Sequence, residues 1–212
     1  MKHKEKWLLT AFVFWTYLVL IVDVQQAGET GTEVGFSTIN TWFHEWTGVS
    51  LQLYTITDWL GLVPVGICLI FGMIGLLQLI KRKGLRNVDA DLILLGIYYV
   101  VVIFGYLIFE MIPINYRPIF IEGRMEASYP SSTTLLVLSV MPTLVFQVNR
   151  RVGNQNVRKI FKVMTMMFSI FMVGGRLFSG VHWLTDIIGS VLLSAGLFYS
   201  YEKAVRHYDK KE

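Results

Sequence analysis

Three short segments hold most of the polar residues that could do chemistry in this chain. They read EMIPINYRP at 110–118, SYPSSTT at 128–134 and GGRLFSGVHWLTD at 174–186. The planar guanidinium group of arginine can bind two phosphate oxygens at once, so Arg117 and Arg176 are candidate ligands for an anion. A surface position beside lipid headgroups is the alternative explanation for these arginines.

His182 and Asp186 lie four residues apart, and they share one helical face if the last helix starts near Val181. An aspartate in that position can accept the N–H of the imidazole, which leaves the other ring nitrogen free to attack. An interfacial histidine beside a polar helix start is the alternative. Asp186 argues against it, because a carboxylate inside an apolar span is costly and usually functional.

Other chemistries have less support. A metal site built on His182 and Asp186 lacks further ligands nearby in sequence, so we expect no metal and no cofactor. A serine hydrolase would pair Ser131 or Ser132 with His182, but no G-x-S-x-G turn is present. A nucleotide-binding P-loop is also absent from the sequence. The single cysteine, Cys68, excludes an intramolecular disulfide and is read as apolar filler.

The composition places these segments in a membrane. Of the 212 residues, 54% are apolar and only 16% are charged, and the mean hydropathy is +0.53. A soluble domain carries about a quarter charged residues. We therefore predict one all-α integral membrane domain over 1–212. Its six spans are Trp7–Val22, Trp59–Ile80, Leu92–Phe109, Ser131–Val148, Phe161–Gly175 and Val181–Tyr201.

Basic residues predict the orientation. Sixteen Lys and Arg residues cluster at 2–6, 81–86, 150–162 and 203–211, which the positive-inside rule places in the cytoplasm together with both termini. The loop 23–58 then lies outside, with five acidic residues and no Lys or Arg. The three polar segments share that outer face with the remaining arginines, Arg117, Arg124 and Arg176. Basic clusters that alternate with apolar runs indicate membrane topology, and we expect no nucleic-acid partner.

The outer loop includes a candidate interfacial segment. Trp42 and Trp46 would share one face of a helix and could anchor it at the membrane surface. His44, between them in sequence, could instead face a substrate.

Taken together, the three segments resemble the motifs of the type 2 phosphatidic acid phosphatase family. That family reads K-x6-R-P, then P-S-G-H, then S-R-x5-H-x3-D. This chain has Glu110-x6-Arg117-Pro118, then PSST at 130–133, then Gly175-Arg176-x5-His182-x3-Asp186. Spacing, order, span number and outer placement all agree. The resemblance covers a catalytic core at 92–201.

The resemblance implies a role for each matched residue. His182 would be the nucleophile that forms a phosphohistidine, and Asp186 would orient it. Arg117 and Arg176 would clamp the phosphate. Ser131 and Ser132, at the start of the fourth span, would complete the cradle, and no metal is implied. Arg124 and Tyr116 are possible accessory residues.

Two positions depart from the family in ways that affect catalysis. Thr133 stands where a histidine is expected to protonate the leaving group, and Glu110 stands where a lysine is expected to bind phosphate. Gly175 replaces a serine and Ser132 a glycine, which are milder changes. Loss of a general acid typically costs about 10²–10⁴-fold in rate. Glu110 should weaken phosphate binding unless it pairs with Arg117 or Arg124 or is protonated.

These departures leave three hypotheses. A phosphate leaving group has a second pKa of about 6 and can depart unprotonated, so a polyprenyl diphosphate such as undecaprenyl diphosphate would still be cleaved. Glu110 could replace the missing acid if burial raises its pKa. The chain could also bind or transport lipid phosphates without cleaving them. In each case the partners are lipid phosphates or diphosphates and membrane lipids, and the location expected is a bacterial plasma membrane.

Overall fold

The computed structural model describes residues 3–210, so Lys2 and Lys211 of the predicted basic clusters lie outside the described residues. Within that range the regular secondary structure is helical apart from one short hairpin. The helices are α1 (Lys4–Ile21), α2 (Ser37–Thr47), α3 (Leu51–Leu60), α4 (Leu62–Arg82), α5 (Ala90–Met111), α6 (Ser132–Arg151), α7 (Gln155–Phe178) and α8 (Leu184–Tyr208). A 3-10 turn covers Leu85–Asn87. The hairpin pairs β1 (Gln25–Ala27) with β2 (Thr32–Val34) in antiparallel register.

Within residues 3–210, five helical segments are long and apolar enough to cross a membrane. They are α3 continued by α4 (Leu51–Arg82), α5, α6, α7 and α8. This confirms the prediction of a helical, multi-pass membrane protein. The first predicted span, α1, is not among the five, because its 18 residues include Lys4, Glu5 and Lys6. Six spans therefore remain a proposal.

Helix α8 is the centre of the bundle, with α1, α5 and α6 packed around it. A side chain at Gly196 would come within 2.7 Å of Leu9, so the glycine lets α1 approach closely. The indole N–H of Trp15 donates to the carbonyl of Thr185 at 3.2 Å. These contacts fix the N-terminal end of α8 against α1.

The bundle has two chemically different ends. At one end, which we call the basic end, Arg82, Arg150 and Arg151 pair with Asp89, Asp91 and Asp209. At the other, which we call the motif end, the connection 112–131 meets the starts of α6 and α8 and the last turn of α7. All three polar segments identified in the sequence lie at the motif end.

The predicted outer loop is largely structured. The N–H of Glu29, in the hairpin, donates to the carbonyl of Pro118 at 2.8 Å. In α2 the buried Asn40 side chain donates to Gly35 and to the hydroxyl of Thr185. Helix α2 was predicted only conditionally, and the hairpin and α3 were not predicted. They cover one side of the motif end.

The two tryptophans of α2 lie on one face, as the four-residue spacing predicts. The rings of Trp42 and Trp46 are stacked with centroids 6.5 Å apart, and both side chains are exposed. An exposed aromatic pair fits an interfacial anchor.

The start of the last helix was predicted wrongly. Helix α8 begins at Leu184, not near Val181, so His182 precedes it in a short connection. Gly180 adopts a left-handed conformation with φ of 69° just after α7 ends. The carboxylate of Asp186 accepts the N–H of Trp183 at 2.9 Å, which defines the first turn of α8. His182 and Asp186 therefore meet across a helix cap rather than along a helix face.

Candidate functional site

His182 lies at the centre of the motif end and is only 3% exposed. Its Nδ1 atom is 3.6 Å from Asp186 Oδ2, and neither ring nitrogen has a hydrogen-bond partner among the described residues. Burial lowers the pKa of His182 well below its ordinary value, and the positive charges of Arg117 and Arg176 lower it further. The imidazole is therefore neutral near pH 7, which is the form that can attack phosphorus.

Asp186 is held in place by two donors. Its Oδ2 atom accepts the Trp183 N–H, and its Oδ1 atom accepts a hydrogen bond from the Asn115 side chain at 3.2 Å. Asn115 comes from the connection after α5 and is itself buried. The carboxylate thus has a fixed orientation beside the imidazole.

The two arginines approach His182 from different elements. Arg176, in the last turn of α7, donates through Nη2 to Asp58 Oδ1 at 2.9 Å and to the hydroxyl of Thr133. Nε of Arg117 lies 3.1 Å from Glu126 Oε2, without the alignment of a hydrogen bond.

The aromatic ring of Tyr54 lies close to both guanidinium groups. Its centroid is 4.9 Å from that of Arg176 and 5.7 Å from that of Arg117. Since an aromatic face attracts cations, Tyr54 helps to hold two like charges near each other.

Buried polar side-chain atoms without partners are concentrated here. Among the described residues these atoms belong to Arg117, Arg176, His182 and Ser128, apart from one each in His44 and Ser139. Both arginines leave Nε and Nη1 unpaired. Because buried polar groups are nearly always hydrogen-bonded, this cluster indicates a place for an anion.

The N-terminus of α6 completes the wall. The Ser131 hydroxyl donates to Thr134 Oγ1 at 3.1 Å, and its N–H points to the carbonyl of Asp186 at 3.4 Å. Neither Ser131 nor Ser132 is hydrogen-bonded to His182, so the serine-hydrolase pairing has no geometric support. Ser132 lines a 220 Å³ cavity with Arg117 and Glu110. The first N–H groups of a helix favour a phosphate placed there.

Three predicted positions take no direct part in this cluster. Glu110 is exposed at the end of α5 and forms no ion pair within residues 3–210; Arg117 pairs with Glu126 instead. Neither the expected pairing of Glu110 nor the burial needed to make it an acid is found. Arg124 is exposed in a tight turn with Ile121. Tyr116 contributes its backbone carbonyl, which accepts the indole N–H of Trp183.

His44 packs against the connection that carries the candidate nucleophile. Its ring centroid is 5.6 Å from that of Trp183, and burial lowers its pKa. A substrate-facing role for His44 stays a prediction. Within residues 3–210 no group of three or more His, Cys, Asp and Glu side chains has the arrangement of a metal site.

Four residues of the site were not predicted: Tyr54, Asp58, Asn115 and Glu126. Tyr54 and Asp58 are four residues apart, which on a helix places them on one face, but nothing in the sequence tied that helix to Arg176. Asn115 lies in the first polar segment and Glu126 lies two residues before the second. Irregular connections have no periodicity, so the sequence did not predict where these two side chains point.

Glycines explain how α3 reaches the site. A side chain at Gly175 would come within 2.5 Å of the Thr57 methyl group, so the glycine permits α3 to pack closely on α7. The N–H of Ser50 donates to the carbonyl of Ser179 at 3.0 Å. A side chain at Gly180 would collide with the carbonyl of Gly48. Glycine at 175, where the family pattern has serine, thus makes room for the helix that carries Tyr54 and Asp58.

Comparison with known proteins identifies the family of the chain and supports its fold. The sequence profile described as the PAP2 superfamily matches residues 92–207, more than half of the chain, and the chain therefore belongs to the PAP2 superfamily. The fold is also similar to that of a transmembrane PAP2-type phosphatidylglycerolphosphate phosphatase from Bacillus subtilis. That match has a TM-score of 0.60 and 17% sequence identity, and it covers 99% of this chain and 97% of the other. No curated protein matches the chain significantly.

The resemblance seen in the motifs is thereby confirmed at the level of the family. The apolar helices and the family together define a multi-pass membrane protein of the phosphatase class.

Proposed function

We propose that this protein is a lipid-phosphate phosphatase that works through a phosphohistidine at His182. The observation that supports this most is the set of unpaired buried donors around a neutral imidazole. Nδ1 faces Asp186, so Nε2 is the attacking atom. It forms the N–P bond while the bond from that phosphorus to the oxygen of the leaving group breaks, which in a diphosphate is the bridging oxygen. Water then attacks the phosphohistidine and releases inorganic phosphate.

The two arginines stabilise the charge that spreads over the phosphoryl oxygens in the transition state. Preorganised donors of this kind typically contribute about 10²–10³-fold each. Asp186 keeps the proton-bearing nitrogen of the imidazole in place and stabilises the positive charge that develops on it.

The substrate that we propose is a polyprenyl diphosphate, such as undecaprenyl diphosphate. Thr133 cannot donate a proton near neutral pH, and its hydroxyl already accepts a hydrogen bond from Arg176. The leaving group from a lipid diphosphate is the lipid monophosphate, which needs less protonation than an alkoxide because its second pKa is about 6.

A groove beside the clamp supports a substrate with a hydrocarbon tail. It lies between α6, α7 and α8, encloses about 1010 Å³ and is lined mainly by apolar side chains. One limit at Gly174 is two residues from Arg176, and along α8 the apolar lining runs from Val191 to Phe198. That is about 10 Å at 1.5 Å per residue. Beyond it the lining along α8 is charged, with Glu202, Arg206 and Asp209.

The test is phosphate release by the purified protein in detergent. Undecaprenyl diphosphate, phosphatidate and phosphatidylglycerol phosphate would be compared, with His182→Ala as the control. We expect release that His182→Ala abolishes and that is fastest with the diphosphate. Release that survives in His182→Ala would reject the phosphohistidine mechanism.

A second experiment tests the argument about the leaving group. Thr133→His restores the acid that the family pattern contains, and it should raise turnover of phosphatidate more than that of the diphosphate. Equal gains on both substrates would contradict the proposed reason for the diphosphate preference.

The second candidate function is binding or transport of lipid phosphates without cleavage. It is favoured by the exposed Glu110 and by the absence of an acid at Thr133. Both candidates predict phosphate binding, so only turnover separates them. We also propose that the protein resides in a bacterial plasma membrane with six spans, cytoplasmic termini and the motif end outside, in agreement with the arginine-rich opposite end.

A further inference from the structure

Each arginine of the proposed clamp already lies against a carboxylate. Arg176 Nη2 donates to Asp58, and Arg117 Nε lies 3.1 Å from Glu126. Neither carboxylate belongs to the three motifs: Asp58 comes from α3, and Glu126 comes from the connection between α5 and α6. Two different elements thus supply the same kind of partner to the two clamp residues.

The two halves of each pair differ in burial. The side chains of Arg176 and Arg117 are 2% and 8% exposed, whereas those of Asp58 and Glu126 are 57% and 38% exposed. A half-exposed carboxylate can turn into water at low cost. A buried guanidinium cannot, and it requires an anion in place of the carboxylate.

We propose that Asp58 and Glu126 are resident counter-ions of the clamp, which phosphate oxygens replace when substrate binds and which return when inorganic phosphate leaves. This rests on the proposed function only in taking Arg117 and Arg176 as the phosphate clamp. The carboxylates lower the affinity for phosphate, so they speed release of the product. They also make the clamp selective for ligands that engage both arginines.

The exchange needs movement of side chains only. Helix α3 stays docked through Gly175 and Ser50, so Asp58 can swing from its Cβ while the backbone is held. The N–H of Arg117 donates to the carbonyl of Glu126 at 3.0 Å, which keeps the two strands of that connection together when the carboxylate leaves.

Binding of inorganic phosphate to the full-length protein in detergent micelles tests this directly. The measurement is made by calorimetry in a His182→Ala background, so it does not depend on turnover. Asp58→Asn and Glu126→Gln should each bind phosphate about tenfold more tightly, since each removes a carboxylate that competes with phosphate for a buried guanidinium group. In the active protein the same variants should show stronger inhibition by phosphate.

Glu33→Gln and Glu45→Gln are the matched controls. They remove the same charge from the same outer region, and neither residue forms an ion pair within residues 3–210. Their phosphate affinity should stay within about twofold of the parent. A control that gains as much as Asp58→Asn would show a general charge effect and overturn the proposal.

Unchanged or weaker phosphate binding in Asp58→Asn and Glu126→Gln would mean that the carboxylates stay in place, which also overturns it. If Asp58→Asn does not fold, Glu126→Gln decides alone. Absence of turnover with phosphate binding intact would reject the proposed phosphatase and leave the counter-ions standing. Absence of phosphate binding in every variant would reject the counter-ions.

Discussion

The two ends of the bundle use the same side chains in opposite ways. At the basic end Asp91 accepts from both Arg150 and Arg151, and Asp209 accepts two hydrogen bonds from Arg150. The carboxylates there use both oxygens, and Arg150 donates through all three of its guanidinium nitrogens. At the motif end each arginine lies against one carboxylate, and its buried Nε and Nη1 atoms form no hydrogen bond with the described residues.

The difference separates structural ion pairs from a binding site. At the basic end Arg150 and Arg151 join α5 to α6 through Asp91, and Arg150 also joins them to the end of α8 through Asp209. Underpaired arginines at the motif end retain donors for a ligand, and they do so around a histidine that also lacks partners. Arginine content alone would not distinguish the two ends.

The largest expected effect compares one arginine from each end. Arg176→Gln should lower kcat/KM by about 10²–10³-fold, because it removes a preorganised donor to the phosphoryl group. Arg151→Gln should leave kcat/KM within about threefold and instead lower the free energy of unfolding by about 1 kcal/mol. Kinetics and thermal unfolding of both variants in the same detergent measure this. An inactive Arg151→Gln variant that is well folded would break the comparison.

A smaller loss is expected when the support of Asp186 is removed. Asn115→Ala takes away the donor to Asp186 Oδ1 and frees the carboxylate to turn away from His182. We expect kcat to fall about tenfold to a hundredfold with KM nearly unchanged, since the phosphate ligands remain. Asn115→Asp restores the shape but not the donor, so recovery of activity in that variant would contradict this role.

The packing of α3 can be tested through its contact with α7. Gly175→Ser should destabilise the protein by about 1–2 kcal/mol and slow turnover severalfold, because the new side chain meets the Thr57 methyl group. Thr57→Ser removes that methyl group and keeps the hydroxyl. If the double variant does not recover stability and turnover, the close approach of α3 is not what Gly175 provides.

The most subtle prediction concerns pH. Neutral His182 is the active form, and its lowered pKa should keep kcat/KM high well below pH 6.5. Arg117→Gln removes a positive charge that lowers this pKa, so the pKa should rise and the acid limb of the residual activity should move to higher pH. Full pH–rate profiles of both proteins measure the shift. An acid limb that stays in place or moves down would show that Arg117 does not act on His182 through charge.

Much of the helical part could be predicted from the sequence. The apolar runs predicted α5 and α6 to within three residues at each end, and the basic clusters correctly separated one end of the bundle from the other. The ends of α7 and α8 were less accurate. Helices α7 and α8 extend through the largely polar stretches 155–162 and 202–208, which the apolar runs did not include. The helix cap at Trp183 places the start of α8 at Leu184, later than predicted.

The sequence by itself determined the membrane class and the family, because local spacing and hydropathy carry that information. It also predicted six site residues: Arg117, Ser131, Ser132, Arg176, His182 and Asp186. It could not determine that α3 packs on Gly175, or that Tyr54, Asp58 and Glu126 reach the arginines. Those contacts join residues as far apart as 118 positions, as between Asp58 and Arg176. Only tertiary packing decides which distant side chains meet, since it depends on how whole helices fit together and not on the period of any one of them.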